Sequence, residues 1–281
     1  MRDVTSPAAV RALLKEKGLS PNKGLGQNFL CDAGIIRKIA DASGVTKADA
    51  VLEIGPGLGA LTRELCERAE RVVAVEIDAG LAEVLKETLS DKGNATVLHA
   101  DFLKCDLGAL HRALGGGPFR VAANLPYYIT SPCIMALLTA RLNIRRITVM
   151  VQREVADRLC AAPGSKDYGV LTVAAGFFSA PQRLFNVSPS CFYPRPEVES
   201  AVVQMEIAPQ QDMDFEAFMD TVKALFAMRR KTVKSNLRTA GLEPQQTEAV
   251  LKAAGIDENA RAETLSVRDF IAISRELKKI Y

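Results

Sequence analysis

The chain has 281 residues, 48% of them hydrophobic and 25% charged, enough for one sizeable core and a smaller second one. The formal charge of +3 neither selects nor rejects a polyanionic partner, so the local distribution of charge has to decide. No stretch approaches the roughly eighteen uncharged apolar residues of a membrane span, and "MRDVTSPAAV" lacks the apolar centre of a secretory signal, so a soluble protein of the cytoplasm is expected. Cys31, Cys66, Cys105, Cys133, Cys160 and Cys191 form no CxxC pair. Reduced, buried thiols are therefore expected, not disulfides or metal ligands. His99 and His111 are too few for a metal cluster and receive no role.

The first thirty residues carry five basic and two acidic side chains. After them, short β-branched runs at 50–54, 71–77, 95–100, 119–124 and 145–152 alternate with helical patterns near 59–69, 79–89, 130–141 and 153–161. Strands buried on both faces and separated by helices describe a parallel sheet of βαβ units. "PQRLFNVS" and "SAVVQMEI" are joined by the proline-rich "PSCFYPRPEVE" without a helix, which predicts an antiparallel hairpin at one sheet edge. After "APQQDMD" only helical periodicity remains, with "FEAFMDTVKALFAMRR" and "SVRDFIAISRELKKI" the clearest pieces; Ser266 and Asp269 stand at capping-box spacing. A domain boundary is placed near 207–212, giving an α/β domain at 1–207 and an all-helical domain at 208–281. In the second, "MRRKTVKSNLR" carries Arg229, Arg230, Lys231, Lys234 and Arg238 without an acid.

In an open parallel sheet, ligands bind beyond the carboxyl ends of the strands. The first such end is "GPGLGA" 55–60, whose glycines let backbone approach a ligand. The second is Glu76, twenty-one residues after Gly55, where an acid can accept from ribose hydroxyls. These two also satisfy the fingerprint for a dinucleotide such as NAD or FAD. The next ends are "DFL" 101–103 and "NLPY" 124–127. A carboxylate at Asp101 can accept from the exocyclic amine of adenine, so Glu76 and Asp101 together describe a nucleoside. The glycine loop holds no arginine or lysine to neutralise a pyrophosphate, which favours a nucleoside with a zwitterionic tail.

"EIGPGLG", "VEID", "ADFL" and "NLPY" resemble successive motifs of S-adenosylmethionine-dependent methyltransferases, and NLPY resembles the variant found in enzymes that methylate the exocyclic N6 of adenine. "GLGQNFLCD" 24–32, "FYPRPEVESAVV" 192–203, "RRKTVKSNL" 229–237 and "AETLSVRDF" 262–270 narrow the resemblance to the ribosomal RNA adenine dimethyltransferases of KsgA type, across almost the whole chain. The resemblance implies a Rossmann-like seven-stranded methyltransferase sheet with a small all-helical C-terminal domain. It implies S-adenosylmethionine as cofactor, held by Asn28, Leu30, Gly55, Glu76, Asp101 and Asn124, with Gln27, Gly57 and Phe102 in the same motifs. It further implies dimethylation of two adjacent adenosines near the 3′ end of small-subunit rRNA, within an assembling 30S-type particle, by a monomer that uses no metal.

The chemistry of "NLPY" fits this. The N6 lone pair of adenine is delocalised into the ring, so the amine attacks poorly until acceptors hold its hydrogens and favour a pyramidal nitrogen. Asn124 offers a side-chain oxygen and Leu125 a backbone carbonyl, while Pro126 fixes the turn and brings no competing N–H. Tyr127 offers an aromatic face for a base taken out of its stack, a contact worth about 1–3 kcal/mol, and by resemblance Phe192 offers the opposing face. Arg229, Arg230 and Lys231 are expected to meet RNA phosphates. Three rivals remain: a DNA adenine methyltransferase, which would want a domain for reading duplex grooves; a large-subunit rRNA methyltransferase, separated only by the tail motifs; and a non-catalytic rRNA-binding checkpoint of assembly.

Overall fold

The apolar runs read from the sequence are sheet strands in the computed structural model, which describes residues 4–208 and 213–280. They are β2 (Ala50–Ile54), β3 (Arg71–Glu76), β4 (Ala95–His99), β5 (Phe119–Asn124) and β6 (Ile144–Gln152), preceded by the two-residue β1 (Phe29–Leu30). The expected hairpin is β7 (Gln182–Val187) and β9 (Ser200–Glu206), with the short β8 (Phe192–Tyr193) in its connection. Seven strands make one sheet in the order β4-β3-β2-β5-β6-β9-β7. β9 alone runs opposite to the other six strands of this sheet.

This order creates a topological switch. From β2 the chain builds outward through β3 and β4, then returns to add β5 on the other flank of β2. The loops leaving β2 and β5 therefore diverge, and a crevice opens between them. The strands flanking it are fully enclosed: Val51, Val72, Val73, Phe119, Val121 and Val149 are each 0% exposed. Burial on both faces is why they read as continuous apolar runs without alternation.

Helices α1 (Pro7–Glu16), α2 (Ala33–Ala42), α3 (Ala60–Arg68), α4 (Ala79–Thr88), α5 (Leu107–Ala113) and α6 (Thr130–Thr139) accompany these strands, followed by α7 (Arg153–Leu159). On one face Ile36 and Ile39 of α2 and Leu61 and Leu65 of α3 pack with Val51, Val72 and Ala122 of the sheet. Each of α2, α4 and α5 starts at an aspartate, Asp32, Asp78 or Asp106, whose carboxylate accepts a first-turn backbone N–H. α1 begins at Ser6 with Pro7 in its first turn and buries Val10, Leu13 and Leu14.

The chain divides into two compact units, residues 1–156 with 181–207 and residues 157–180 with 208–281. The first expectation, a single cut near 207–212, is thus too simple, and residues 209–212 lie outside the described residues. Segment 157–180 joins the second unit because its helix α8 (Val170–Phe178) carries no charge and ends in two phenylalanines. Phe177 sits 4.4 Å, centroid to centroid, from Phe218, and Phe178 4.7 Å from Phe215, both partners on α9 (Phe215–Phe226). The unit continues with α10 (Val233–Thr239), α11 (Pro244–Ala254) and α12 (Val267–Leu277). The predicted capping box is present: Asp269 accepts from the Ser266 backbone N–H at 2.8 Å, and Ser266 from that of Asp269 at 3.3 Å. Phe218 is 0% exposed. Phe218→Ala is expected to cost about 3–5 kcal/mol, read as a lower denaturation midpoint; a loss under roughly 1 kcal/mol would contradict this packing.

Candidate active site

The crevice between β2 and β5 holds an open cleft of about 990 Å³, including the solvent space at its mouth. Its floor is the glycine loop. Gly55 has φ +69°, and a Cβ there would stand 3.1 Å from Pro126 Cδ. Gly57 has φ +60°, and its Cβ would stand 3.1 Å from the Phe29 ring. A side chain at either position would strain the backbone and push away the neighbouring motif. The glycines thus let "NLPY" on one side and "GQNFL" on the other close against the loop.

Glu76 organises the second strand end. It is 4% exposed, and its two carboxylate oxygens accept from the backbone N–H groups of Gly57 and Asp78, each at 3.0 Å. Burial pushes its pKa up, while these two N–H groups hold it down. Asp78 in turn accepts from Gln27 Nε2 at 2.9 Å, and Gln27 Oε1 accepts from the Asn22 backbone N–H at 2.7 Å. The Gln27 amide is therefore engaged in shaping the N-terminal loop. The Asn28 side chain donates to the Gly26 carbonyl at 3.1 Å, and Leu30 in β1 is buried against the same cleft.

At the end of β5, Asn124 Nδ2 donates to the Asn28 carbonyl at 3.4 Å. That orientation leaves Oδ1 as the acceptor on the side chain. The Leu125 N–H donates to the Met150 carbonyl at 3.1 Å, and the Pro126 carbonyl accepts from Ile129 and Thr130. Among the described residues no hydrogen bond ends on the Leu125 carbonyl. Two acceptors thus stand together at one strand end, each held by its neighbours. Tyr127 follows, half-buried, its hydroxyl 2.6 Å from that of Ser200.

Asp101 lies across the cleft. Its Oδ1 accepts from the Leu103 N–H at 3.1 Å, its Oδ2 is 3.3 Å from Lys104 Nζ, and the buried Phe102 lines the wall beside it. Phe192 is not brought to this cleft. At 3% exposure it packs with Leu30, Met150, Val187 and Val202, and acting as a face for a base would require it to leave that cluster. Sequence reasoning missed Glu53, which is 1% exposed and lines the cleft; its signal was an acid inside an otherwise apolar strand. Among the described residues no lysine or arginine lines the cleft, but Glu53, Glu76 and Asp101 do.

In the second unit the basic run is divided. Arg229 donates from Nε to Glu263 at 3.0 Å and from Nη2 to the Lys166 carbonyl at 2.6 Å. Lys234 pairs with Glu248 and Glu258, and Arg238 with Glu248. Arg230 and Lys231 are exposed in the turn between α9 and α10. The buried Asn236 closes this turn, donating to the Leu225 carbonyl at 2.7 Å and accepting from the Met228 N–H at 3.2 Å.

Burial pushes the Glu53 carboxyl up to about 8, and the Glu76 carboxylate adds to the shift. The folded protein keeps this proton between about pH 4.5 and 8, whereas the unfolded chain loses it, so Glu53 makes stability fall as pH rises through that window. Glu53→Gln is expected to stabilise the cofactor-free protein most at pH 8 and hardly at pH 4. A gain in melting temperature independent of pH would contradict a neutral Glu53.

Among the described residues, no helix is long and apolar enough to cross a membrane, and no group of three or more His, Cys, Asp and Glu side chains could hold a metal. The chain is 45% identical to the ribosomal RNA small subunit methyltransferase A of Moorella thermoacetica over 99% of this chain and 100% of that one. It is 44% identical to the protein of the same name from Geobacillus thermodenitrificans over 100% and 99% of the two chains. Among solved structures, a dimethyladenosine transferase from Plasmodium falciparum superposes with a TM-score of 0.76 at 26% identity, covering 88% of this chain and 96% of that one. The 23S rRNA methyltransferase ErmE superposes with a TM-score of 0.71 at 29% identity, over 89% and 100%. Residues 18–279 match the ribosomal RNA adenine dimethylase family, and with these relatives over nearly its full length the chain belongs to that family.

Proposed function

We propose that the protein transfers methyl groups from S-adenosylmethionine to N6 of two adjacent adenosines near the 3′ end of small-subunit rRNA, giving N6,N6-dimethyladenosine during late ribosome assembly. The observation that carries this reading is the pair of acceptors at Asn124 and Leu125, which end β5 beside a cleft with three acids and no cation. A pyrophosphate would find no side-chain cation there and would face the carboxyls of Glu76 and Asp101, whereas a cationic nucleoside suits these acceptors. This favours S-adenosylmethionine over NAD or FAD.

When bound, the cofactor supplies an electrophilic methyl group on a sulfonium. Glu76, with two backbone N–H groups already in place, has lone pairs left for ribose hydroxyls, and Asp101 can accept from the adenine amine. Asn28, Leu30 and Gly55 close the cleft by backbone, and Gln27 and Gly57 shape its walls. Asn124 Oδ1 and the Leu125 carbonyl accept the two N6 hydrogens of the target base and favour a pyramidal nitrogen. Tyr127 stacks on the base. No general base is required during transfer, because the methylated N6 carries a positive charge and an acidic proton that passes readily to water once solvent returns to the site; during transfer the protein's contribution is alignment and exclusion of water. Arg230 and Lys231 meet rRNA phosphates within an assembling small-subunit particle, and the enzyme acts as a cytoplasmic monomer.

A second reading, methylation of large-subunit rRNA, is favoured by the superposition on ErmE. Incubation with labelled cofactor and immature small or large subunits, followed by mapping of methylated nucleosides, decides between them; label in large-subunit rRNA alone would overturn the proposal. Asn124→Ala is expected to slow single-turnover transfer by roughly 10²–10³-fold with particle binding retained, because phosphate contacts dominate affinity. Normal transfer by this variant would sink the acceptor mechanism. Replacing Arg230 and Lys231 together with alanine should weaken particle binding and lower the slope of log K against log salt by about 1.5. Arg229→Ala should mainly destabilise the second unit, so an equal effect on the slope would show that Arg229 leaves Glu263 for RNA.

A further inference from the structure

Nothing in the proposed reaction uses the contact between the hydroxyls of Tyr127 and Ser200, which lie 2.6 Å apart. The two residues differ sharply in how firmly they are held. Ser200 is 0% exposed at the first position of β9. It faces Gln152 of β6 on one side and Val187 of β7 on the other, so strand ladders on both flanks fix its backbone. Tyr127 opens a single 3-10 turn, Tyr127–Ile129, with no side-chain cap, and the next residue, Tyr128, is 46% exposed. A tyrosine on such a turn is only half-buried, and the bond at the far end of its ring narrows the rotamers that its packing leaves open. Burial also pushes the Tyr127 pKa up, so the phenol keeps its proton and the contact is an O–H···O bond throughout the neutral range.

We propose that Ser200 is a positioning residue for methyl transfer: its buried hydroxyl ties down the phenol end of Tyr127 and orders the ring before the target base arrives. The inference rests on Tyr127 being the stacking face, as proposed above. A ring that must be ordered at each encounter weakens capture of the base, whereas one ordered in advance does not. The second methylation should depend on this most, since monomethyladenosine has one N–H fewer to be held by Asn124 and Leu125. Ser200 would then influence how often the enzyme finishes dimethylation, although it touches neither cofactor nor base.

The test uses the full-length protein, labelled S-adenosylmethionine at saturation and immature small subunits, with single-turnover counting of mono- and dimethyladenosine. Ser200→Ala and Tyr127→Phe are each expected to raise the ratio of mono- to dimethyladenosine by up to about tenfold. Their combination should be no worse than either alone, because both remove the same bond. Cofactor affinity, measured by calorimetry, should match the parent in all three. Parental product ratios in Ser200→Ala and Tyr127→Phe, with Tyr127→Ala impaired, would overturn the role of Ser200 and leave stacking intact. A parental Tyr127→Ala would overturn stacking itself. If Ser200→Ala fails to fold or loses cofactor affinity, Tyr127→Phe decides: a raised ratio supports the inference, and a parental one overturns it.

Discussion

The Glu76 carboxylate is the point through which the rest of the site is arranged. One oxygen holds the glycine loop at the Gly57 N–H, the other holds the Asp78 N–H, and Asp78 then caps α4 at Leu81. Through Gln27 the same chain of bonds reaches Asn22 in the N-terminal loop. A carboxylate taken this far out of water is costly unless hydrogen bonds replace its hydration. Here two backbone donors do so before any ligand arrives. The loops on both sides of the cleft are consequently set by one side chain, and removing it would disturb Asn22, Gln27 and Gly57 as well as any hydrogen bond to a ribose.

The close approach at the glycine loop has the same logic. Gly55 leaves room for the Pro126 ring and Gly57 for the Phe29 ring, so three segments distant in sequence meet without intervening side chains. Glu53 lies beneath them, fully enclosed and neutral below about pH 8. Had it been ionised beside Glu76, the two charges would repel in a region with little water. A neutral Glu53 spares Glu76 that repulsion.

Most of the sheet was legible because strands buried on both faces advertise themselves as apolar runs, and the order of loop motifs at their carboxyl ends located the cleft. The features that escaped depend on tertiary contact. Only resemblance places Phe192 beside the target base, yet β8 pairs with β1 and places it opposite Leu30 in the core. Segment 157–180 contains no periodicity strong enough to assign it, and only the rings of Phe215 and Phe218 show where α8 belongs. Gln27 stands in a cofactor motif by resemblance alone, and nothing beside it in the chain signals that its amide bonds Asp78 and the Asn22 N–H. Ser200 carried no local signal at all, since its partner lies seventy-three residues away.

Charge counting along "RRKTVKSNL" overstates how much of the run is free for RNA. Surface ion pairs are typically worth about 0–1 kcal/mol, so a phosphate could displace the acids around Lys234 or Arg238 at little cost. Arg229 differs, because leaving Glu263 would also break its bond to the Lys166 carbonyl and strand an acid that is only 26% exposed. Asn236 meanwhile folds the turn by bonding to the Leu225 carbonyl and the Met228 N–H, and Thr232 caps α10 by accepting from the Ser235 N–H. The turn's interior is uncharged and its first arginine is anchored, so Arg230 and Lys231, exposed at its tip, could meet phosphate without displacing any acid, whereas Lys234 and Arg238 would first exchange an exposed ion pair.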